Sequence, residues 1–243
     1  MSLPIIIPSH NRPLNLKTHK KVEGCIVCIP EAQYEDYKRH KDDVEIITHP
    51  DDIIGLSAKR QWIWEKFGDH FEIDDDLLYV RRLYLPAGSE RKHQVDPHTA
   101  KLWINDLYML AKEMDVKLFG FSPTSHPMVY NGDKPFEFNK FIRGGTLGLI
   151  WDEKLWFPKW PHFTGEDSWI NLLNAYHYRK GLLDMRLSFY FDKEHSNHGG
   201  CSEYRSPDTL WEDYVILRKY FGESTYWHRL SGGEDDKMIR IPF

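Results

Sequence analysis

Short apolar runs alternate with longer polar or amphipathic runs over the first eighty residues of the chain. Four of the apolar runs have the length of buried strands: Leu3 to Pro8, Val22 to Ile29, Val44 to Thr48 and Phe71 to Asp74. Helices are predicted between them at Glu31 to His40 and at Leu56 to Phe67, and Gly68 ends the second helix. This alternation predicts an α/β fold, in which helices flank a central, mostly parallel sheet.

The remainder of the chain shows the same periodicities with longer loops. It predicts helices at His98 to Met114, from Glu166 past Tyr178 and at Pro207 to Gly222, and strands at Val116 to Phe121, Phe141 to Trp151 and Met185 to Asp192. The apolar positions of the first of these helices are assigned to the core: Leu102, Trp103, Leu107, Leu110, Ala111 and Met114. A mobile loop is predicted at Ala87 to Pro97, and a partly ordered tail over the last twenty or so residues. Since no repeat or linker interrupts the pattern, residues 1–243 are predicted to form one domain.

Composition narrows the class of protein. The 243 residues are 41% hydrophobic and 28% charged, which is ordinary for a folded globular protein. A formal net charge of −5 argues against general electrostatic coating of nucleic acid and leaves room only for a local basic patch. There is no long apolar segment and no signal-like start, so we expect a soluble intracellular protein without a membrane partner.

The three cysteines give no disulfide framework. Cys25 and Cys28 have the C-x-x-C spacing of redox and zinc sites, but they fall within a predicted buried strand. Residues three apart in a strand face opposite sides, so the pair is interpreted as two core cysteines.

Asp74, Asp75 and Asp76 follow the fourth predicted strand directly. Adjacent carboxylates repel one another and are costly beside an apolar core unless protons or a cation neutralise them. In an extended chain Asp74 and Asp76 point the same way and Asp75 the opposite way, so the outer pair could share one Mg²⁺ or Mn²⁺ ion with a substrate diphosphate. A solvated acidic turn is the alternative interpretation, and on the triplet alone the two remain open.

Further polar residues are expected at the same edge of the sheet. The loop after the first strand carries Pro8, Ser9, Asn11 and Arg12, where Arg12 could meet a phosphate and Ser9 and Asn11 a base or ribose. Lys59 and Arg60 fall in the first turn of a helix. Cations are disfavoured at this end of a helix, so their presence suggests that an anionic ligand binds there. Solvated surface charge is the alternative for this pair.

Three later segments add candidates. The glycines around Gly144 and Gly145 suggest either backbone that approaches a ligand closely or a bulge. Glu166 and Asp167 open a helix, where carboxylates are ordinary caps, yet Asp167 is also a candidate general base. His195 or His198 could complete a metal shell, although a surface position is commoner in such a loop.

Taken in order, the segments Pro8 to Pro13, Lys59-Arg60, Asp74 to Asp76, Gly144 to Gly148, Gly165 to Asp167 and His195 resemble the GT-A class of glycosyltransferases. The resemblance implies that Asp74 and Asp76 bind Mn²⁺ or Mg²⁺ with the donor diphosphate, joined by His195 with His198 as its rival. It implies donor contacts for Pro8, Ser9, Asn11, Arg12, Lys59, Arg60, Asp75, Gly144 and Gly145, and catalysis for Asp167 with Glu166. It also divides the domain into a nucleotide-sugar half (1–80), an acceptor half (98–205) and a C-terminal helix and tail (206–243).

A narrower likeness lies in Val27 to Tyr37, Gly55 to Gln61 and the aspartates, which resemble the TET/JBP-associated glycosyltransferases. This resemblance implies transfer of glucose, from UDP-glucose, to a 5-hydroxymethylpyrimidine in DNA by a phage-encoded protein of the host cytoplasm. A DNA acceptor would need its base turned out of the stack, with Trp160 or Trp169 for stacking and a basic rim formed by Arg81, Arg82, Arg91 and Lys92. A saccharide acceptor, or a module that binds nucleotide-sugar or DNA without catalysis, is the alternative. The sequence carries no signature of an oligomeric state.

Overall fold

A computed structural model of the chain describes residues 2–41, 43–85, 93–192, 200–229 and 235–239. The strands are β1 (Ile5–Pro8), β2 (Cys25–Pro30), β3 (Glu45–His49), β4 (His70–Ile73), β5 (Leu77–Arg82), β6 (Leu118–Ser122), β7 (Phe136–Glu137), β8 (Thr146–Leu149), β9 (Leu182–Phe191), β10 (Thr225–Arg229) and β11 (Asp235–Ile239). The α-helices are α1 (Tyr34–His40), α2 (Leu56–Phe67), α3 (Pro97–Glu113), α4 (Glu166–Tyr178) and α5 (Pro207–Phe221). None of these helices combines the length and the apolar run that crossing a bilayer requires.

The strands from β1 to β9 form one mixed sheet in the described part of the chain, in the order β3-β2-β1-β4-β8-β6-β9-β5, with β7 paired to β9. Its first four strands are parallel, and Ile5 of β1 lies opposite both Cys25 of β2 and Phe71 of β4. The remaining pairs are antiparallel except β6 with β9. The predicted α/β class is therefore confirmed, with a parallel half and a mixed half.

Parallel pairing of β1 with β4 brings residues predicted to form the site to one edge of the sheet. Because β1 and β4 run side by side, the loop after Pro8 and the aspartates after Ile73 leave the same edge of the sheet. Antiparallel pairing of β4 with β8 places Ile73 opposite Thr146, and the Asp74 amide donates to the Gly145 carbonyl at 3.2 Å. Both predicted halves thus contribute strands to one sheet and residues to one edge.

Side chains of the sheet pack into separate apolar clusters on its two faces. Alternation along β1 sends Ile5 and Ile7 to one cluster and Ile6 to another. Cys25 and Cys28 are likewise divided between these two clusters, and burial raises the pKa of each thiol to about 12. The interpretation of the C-x-x-C pair as core cysteines is confirmed.

Helix predictions fared better than strand predictions. The bounds of α2 are those predicted, with Gly55 before it and Gly68 after it, and α3 and α5 agree to within one residue. Helix α4 ends at Tyr178, whereas the prediction ran past it, because Arg179 adopts the left-handed conformation.

Several local predictions were wrong. Leu102 and Met114 are 49% and 38% exposed, since the buried stripe of α3 runs through Ala100, Ile104, Leu107 and Ala111. The predicted strand at Phe141 to Trp151 is limited to β8. Strand β5 was missed. The tail was predicted as partly ordered, and its strands β10 and β11, which were not predicted individually, pair antiparallel. Most of the predicted loop at Ala87 to Pro97 lies outside the described residues.

Candidate active site

A cleft of about 1030 Å³ lies at the sheet edge where β1 and β4 end. Of the residues predicted from sequence, it is lined by Pro8, Ser9, Arg12, Lys59, Arg60, Asp74, Asp75, Asp76, Gly144, Gly145, Glu166 and Asp167. Asn11 is not among its lining residues, because its left-handed backbone (φ 55°) turns the side-chain amide toward Glu203, to which it donates at 3.0 Å. His195 and His198 fall outside the described residues.

Asp75 points away from its two neighbours into a buried network. Its Oδ2 accepts a hydrogen bond from Ser9 Oγ at 2.5 Å, and its Oδ1 accepts one from Arg12 Nη1 at 3.1 Å. The Tyr37 hydroxyl lies 2.7 Å from Ser9 Oγ and accepts from the Arg12 amide at 2.9 Å. Burial raises the pKa of Tyr37 to about 12, so its hydroxyl stays protonated. Asp75 therefore fastens the loop after β1 to the end of β4.

Asp74 and Asp76 are accessible from the cleft. The Asp74 side chain is 44% exposed, yet the cleft walls desolvate it and raise its pKa to about 6, with Asp75 adding repulsion and Arg60 opposing the shift. Desolvation, followed by the charges of Asp74 and Asp75, raises the pKa of Asp76 to about 7. Two carboxyl groups with raised pKa values are suited to a hard divalent cation, because the cation would stabilise their charged forms.

No group of three metal-binding His, Cys, Asp or Glu side chains occurs within the described ranges. The donor set that the structure does offer is the pair of carboxylates, Asp74 and Asp76. Such a pair fits an ion that takes its other ligands from water and substrate phosphates, as Mg²⁺ commonly does.

Arg60 connects the triplet to the rest of the cleft. It is 1% exposed and donates from Nη1 to Glu72 Oε2 at 2.8 Å and from Nη2 to the Gly144 carbonyl at 3.0 Å. Asp74 Oδ1 and Glu166 Oε1 lie 3.8 Å and 4.0 Å from its nitrogens. The anions that Arg60 meets are therefore protein carboxylates. Lys59, also buried, donates to the Ser9 carbonyl at 2.6 Å.

Gly144 and Gly145 form a turn between the two acidic segments. A Cβ on Gly144 would lie 3.0 Å from Arg60 Nη2 and 3.3 Å from Asp167 Cβ. A Cβ on Gly145 would lie 3.1 Å from the Phe191 ring and 3.4 Å from Asp74 Oδ2. Both glycines are thus in close contact with protein side chains, and Asp74 and Asp167 border the same two-residue turn.

Asp167 lies in the first turn of α4, partly exposed to the cleft, and its Oδ1 accepts from the Ser168 amide at 2.6 Å. One turn later Asn171 donates to the carbonyls of Asp167 (2.7 Å) and Ile142 (2.8 Å) and accepts from the Ile142 amide at 2.9 Å. This amide clamp ties the glycine segment to α4. Sequence reasoning missed Asn171, and its position four residues after Asp167 on the same helix face was the only available signal.

Asp213 of α5 supports the start of the same helix. Its carboxylate, 2% exposed, accepts from the Thr164 amide at 3.2 Å and from the Thr164 hydroxyl. A residue almost fifty positions away thereby fixes the turn that leads into Glu166 and Asp167.

The aromatic prediction was wrong. Trp169 is 1% exposed, and Trp160 packs on Phe163, Trp169 and Tyr220, so neither lines the cleft. The aromatic side chains that do line it include Phe141 and Tyr190. Sequence reasoning also missed the segment from Ser122 to Ser125 and the exposed Arg143 and Arg205, which carry no motif.

The chain is similar in sequence to a known protein family and in structure to solved proteins. The profile of a family described as TET-Associated Glycosyltransferase matches residues 3–139, more than half of the chain. No curated protein matches the chain significantly in sequence. Similar solved structures include CMP:2-keto-3-deoxy-manno-octonic acid synthetase complexed with CTP, at 11% identity and a TM-score of 0.31, covering 62% of this chain and 72% of that chain. At that TM-score the likeness adds nothing to the description of the site.

Proposed function

The chain belongs to the TET-associated glycosyltransferase family, and from this premise we propose that it transfers glucose from UDP-glucose to the hydroxyl of a 5-hydroxymethylpyrimidine in DNA, with inversion at the anomeric carbon. Membership of this family makes the protein a glycosyltransferase that uses a nucleotide-sugar donor. The choice of sugar, nucleotide, acceptor base and stereochemistry is our proposal.

One observation carries the proposal. The Gly144-Gly145 turn packs against Asp74 on one side and Asp167 on the other, within a cleft of about 1030 Å³. This volume is at the upper end of the range of small-molecule pockets, which supports entry of a donor together with a single acceptor nucleotide. The arrangement supports a reaction whose leaving group lies toward Asp74 and Asp76 and whose attacking hydroxyl lies toward Asp167.

Asp167 supplies the base in this proposal. Its carboxylate removes the proton of the acceptor hydroxyl as that oxygen attacks the anomeric carbon from the side opposite the departing diphosphate. Asn171 and Asp213 hold the segment that carries Asp167, which keeps the base in place without any ligand. Glu166, 7% exposed and 4.0 Å from Arg60, contributes negative charge that balances that cation.

Asp74 and Asp76 are the residues that would hold Mn²⁺ or Mg²⁺. A bound cation would offset the charge that develops on the departing nucleoside diphosphate. The raised pKa values of both carboxyls support this assignment, because a divalent cation would offset the desolvation and the repulsion that raise them. Arg12 and Lys59 also line the cleft and would lie beside the donor phosphates.

The test is direct. The protein is incubated with Mn²⁺, a panel of UDP-sugars and DNA that contains 5-hydroxymethylcytosine or 5-hydroxymethyluracil, and the nucleosides are weighed after digestion. We expect a hexose-sized gain with UDP-glucose that disappears in Asp76→Ala. Asp106→Ala, which removes an exposed aspartate of α3, is the matched control and should keep the activity.

The alternatives give different results. Hydrolysis of UDP-sugars without any gain of mass in DNA would move the acceptor from DNA to a saccharide. Binding of UDP-glucose without hydrolysis or transfer, in the presence of Mn²⁺, would indicate a non-catalytic module.

A further inference from the structure

We propose that the face of the β5/β9 pair beside the cleft binds the polynucleotide strand that flanks the acceptor base. Arg81 and Arg143 contact its phosphates, and Tyr190, stacked on Tyr79, supports a neighbouring base. This inference rests on the proposed function, since it specifies how a DNA acceptor is held outside the reaction centre.

Arg81 and Arg143 differ from Arg12 and Arg60, whose guanidinium groups are paired with protein carboxylates. Neither the Arg81 nor the Arg143 guanidinium makes a hydrogen bond, an ion pair or a ring contact with any residue in the described ranges, and Arg81 Nε is buried without a partner. Arg12 and Arg60, in contrast, are paired with Asp75 and Glu72. A bound anion would offset the cost of burying Arg81 Nε without a partner, and the exposed Arg143 can donate to the same ligand.

Tyr79 and Tyr190 form the flattest aromatic stack near the cleft. Their ring centroids lie 4.8 Å apart with 17° between the planes, and Tyr190 is 38% exposed while it lines the cleft. Tyr79 supports Tyr190 from the neighbouring strand, which makes a pre-ordered platform. Aromatic side chains of this kind stack on bases without regard to their identity.

Strand register places these features in one row. Tyr79 pairs with Tyr190 and Arg81 pairs with Ser188 across β5 and β9, so Tyr79 and Arg81 lie two residues apart on the same face. Ser188 pairs in turn with Ser122 of β6, which lines the cleft. Two strand spacings separate Arg81 from Ser122, about 10 Å, which about three stacked nucleotides at ~3.4 Å each would span.

Arg143 lines the cleft together with Ser122. Together with Pro123 and Phe141 it borders both the cleft and a second cavity of about 310 Å³. A strand that crosses the cleft mouth between Arg81 and Arg143 would present one nucleotide to Asp167. Unpaired cations combined with a stacking platform match the chemistry of a polynucleotide, which carries both phosphates and bases.

The neighbouring residue Arg82 provides a matched control. It carries the same charge one position along β5, but its Nη1 donates to the Gln94 carbonyl at 3.1 Å. If only general electrostatics attracts DNA, Arg81→Gln and Arg82→Gln will weaken binding equally. If Arg81 contacts a phosphate, the first variant will weaken binding more.

The experiment measures binding of a fluorescein-labelled single-stranded oligonucleotide by anisotropy between 50 and 200 mM salt. We expect Arg81→Gln and Arg143→Gln each to weaken binding about five- to tenfold at low salt and to reduce the slope of log K against log salt by about 0.7. Arg81→Lys should restore the slope, and Arg82→Gln should stay within twofold of wild type. Tyr190→Ala should weaken binding about tenfold without changing the slope.

Equal effects of the Arg81 and Arg82 substitutions, or an unchanged slope in both Arg81→Gln and Arg143→Gln, would overturn the inference. Absence of any oligonucleotide binding by the wild-type protein would overturn it as well. The nucleoside-mass assay on wild type tests the proposed function independently: if transfer to DNA occurs while the slopes do not change, this inference is rejected and the proposed function stands.

Discussion

Asp75 lies in a different environment from Asp74 and Asp76, the residues on either side of it. We call the network of Asp75, Ser9, Arg12 and Tyr37 the inner region, and Asp74, Asp76 and Asp167 the cleft region. The inner region is buried and hydrogen-bonded within the protein, whereas the carboxyls of Asp74 and Asp76 have raised pKa values and lie open to the cleft. The contrast teaches that one acidic motif contains both a buried structural support and side chains that face the cleft.

The largest effect is expected at Asp167. Asp167→Asn keeps an oxygen for the Ser168 amide but removes the base, so kcat for sugar transfer should fall about 10³-fold, equivalent to about 4 kcal/mol, with little change in Tm. Steady-state kinetics and a thermal melt measure both. Asp106→Asn should leave both unchanged, and wild-type kcat in Asp167→Asn would reject the assignment of the base.

The next prediction compares the two regions directly. Asp75→Ala removes an acceptor from the buried Ser9 hydroxyl and from the half-buried Arg12 guanidinium, and should lower the free energy of unfolding by about 3 kcal/mol. Asp76→Ala should lower it by less than about 1 kcal/mol, because that side chain makes no comparable bond. Urea titrations of both variants give the comparison. Equal losses would mean that the two regions do not differ as described.

The buried His49, whose pKa is influenced by the charge of Lys59, makes the stability of the protein depend on pH. Burial, followed by the charge of Lys59, lowers the pKa of His49 from 6.5 to about 4. A lowered folded pKa means that the unfolded chain takes up the proton first, so stability is full above about pH 6.5 and is lost as pH falls toward 4.

The measurement is the unfolding free energy of wild type and His49→Gln at pH 7 and at pH 4. The difference between the two proteins should change by about 2 kcal/mol in favour of the variant at pH 4. A constant difference would show that His49 does not contribute to acid sensitivity.

The smallest effect is expected at the turn that the cleft region borders. Gly144→Ala places a methyl 3.0 Å from Arg60 Nη2 and 3.3 Å from Asp167 Cβ, which should lower kcat/KM about tenfold, equivalent to about 1.4 kcal/mol. Gly132→Ala is the matched control, because a Cβ there would meet no atom within 4 Å. If the two variants are equally active, the turn does not position Asp167.

Elements with strong local signals were predictable. Helix α2 was predicted with its bounds because glycines flank a continuous helical pattern, and the parallel strands β1 to β4 were predicted because each is a short apolar run between polar segments. Strand β5 was missed because it directly follows three aspartates, which are typical of a loop, and because it ends in two arginines. The hairpin of β10 and β11 was missed because its polar sequence lacks an alternating apolar pattern.

The sequence by itself determined which side chains could perform chemistry and at which edge of the sheet they would lie, because strand and helix periodicity depends on local residue order. Tertiary structure decided the role of each. Register between β4 and β8 placed the glycine turn against Asp74 and Asp167, and burial gave Asp75 a structural position and Arg60 a carboxylate partner. Desolvation and pairing depend on residues far apart in the chain, such as Asn171 with Ile142, and such distances are set only when the sheet assembles.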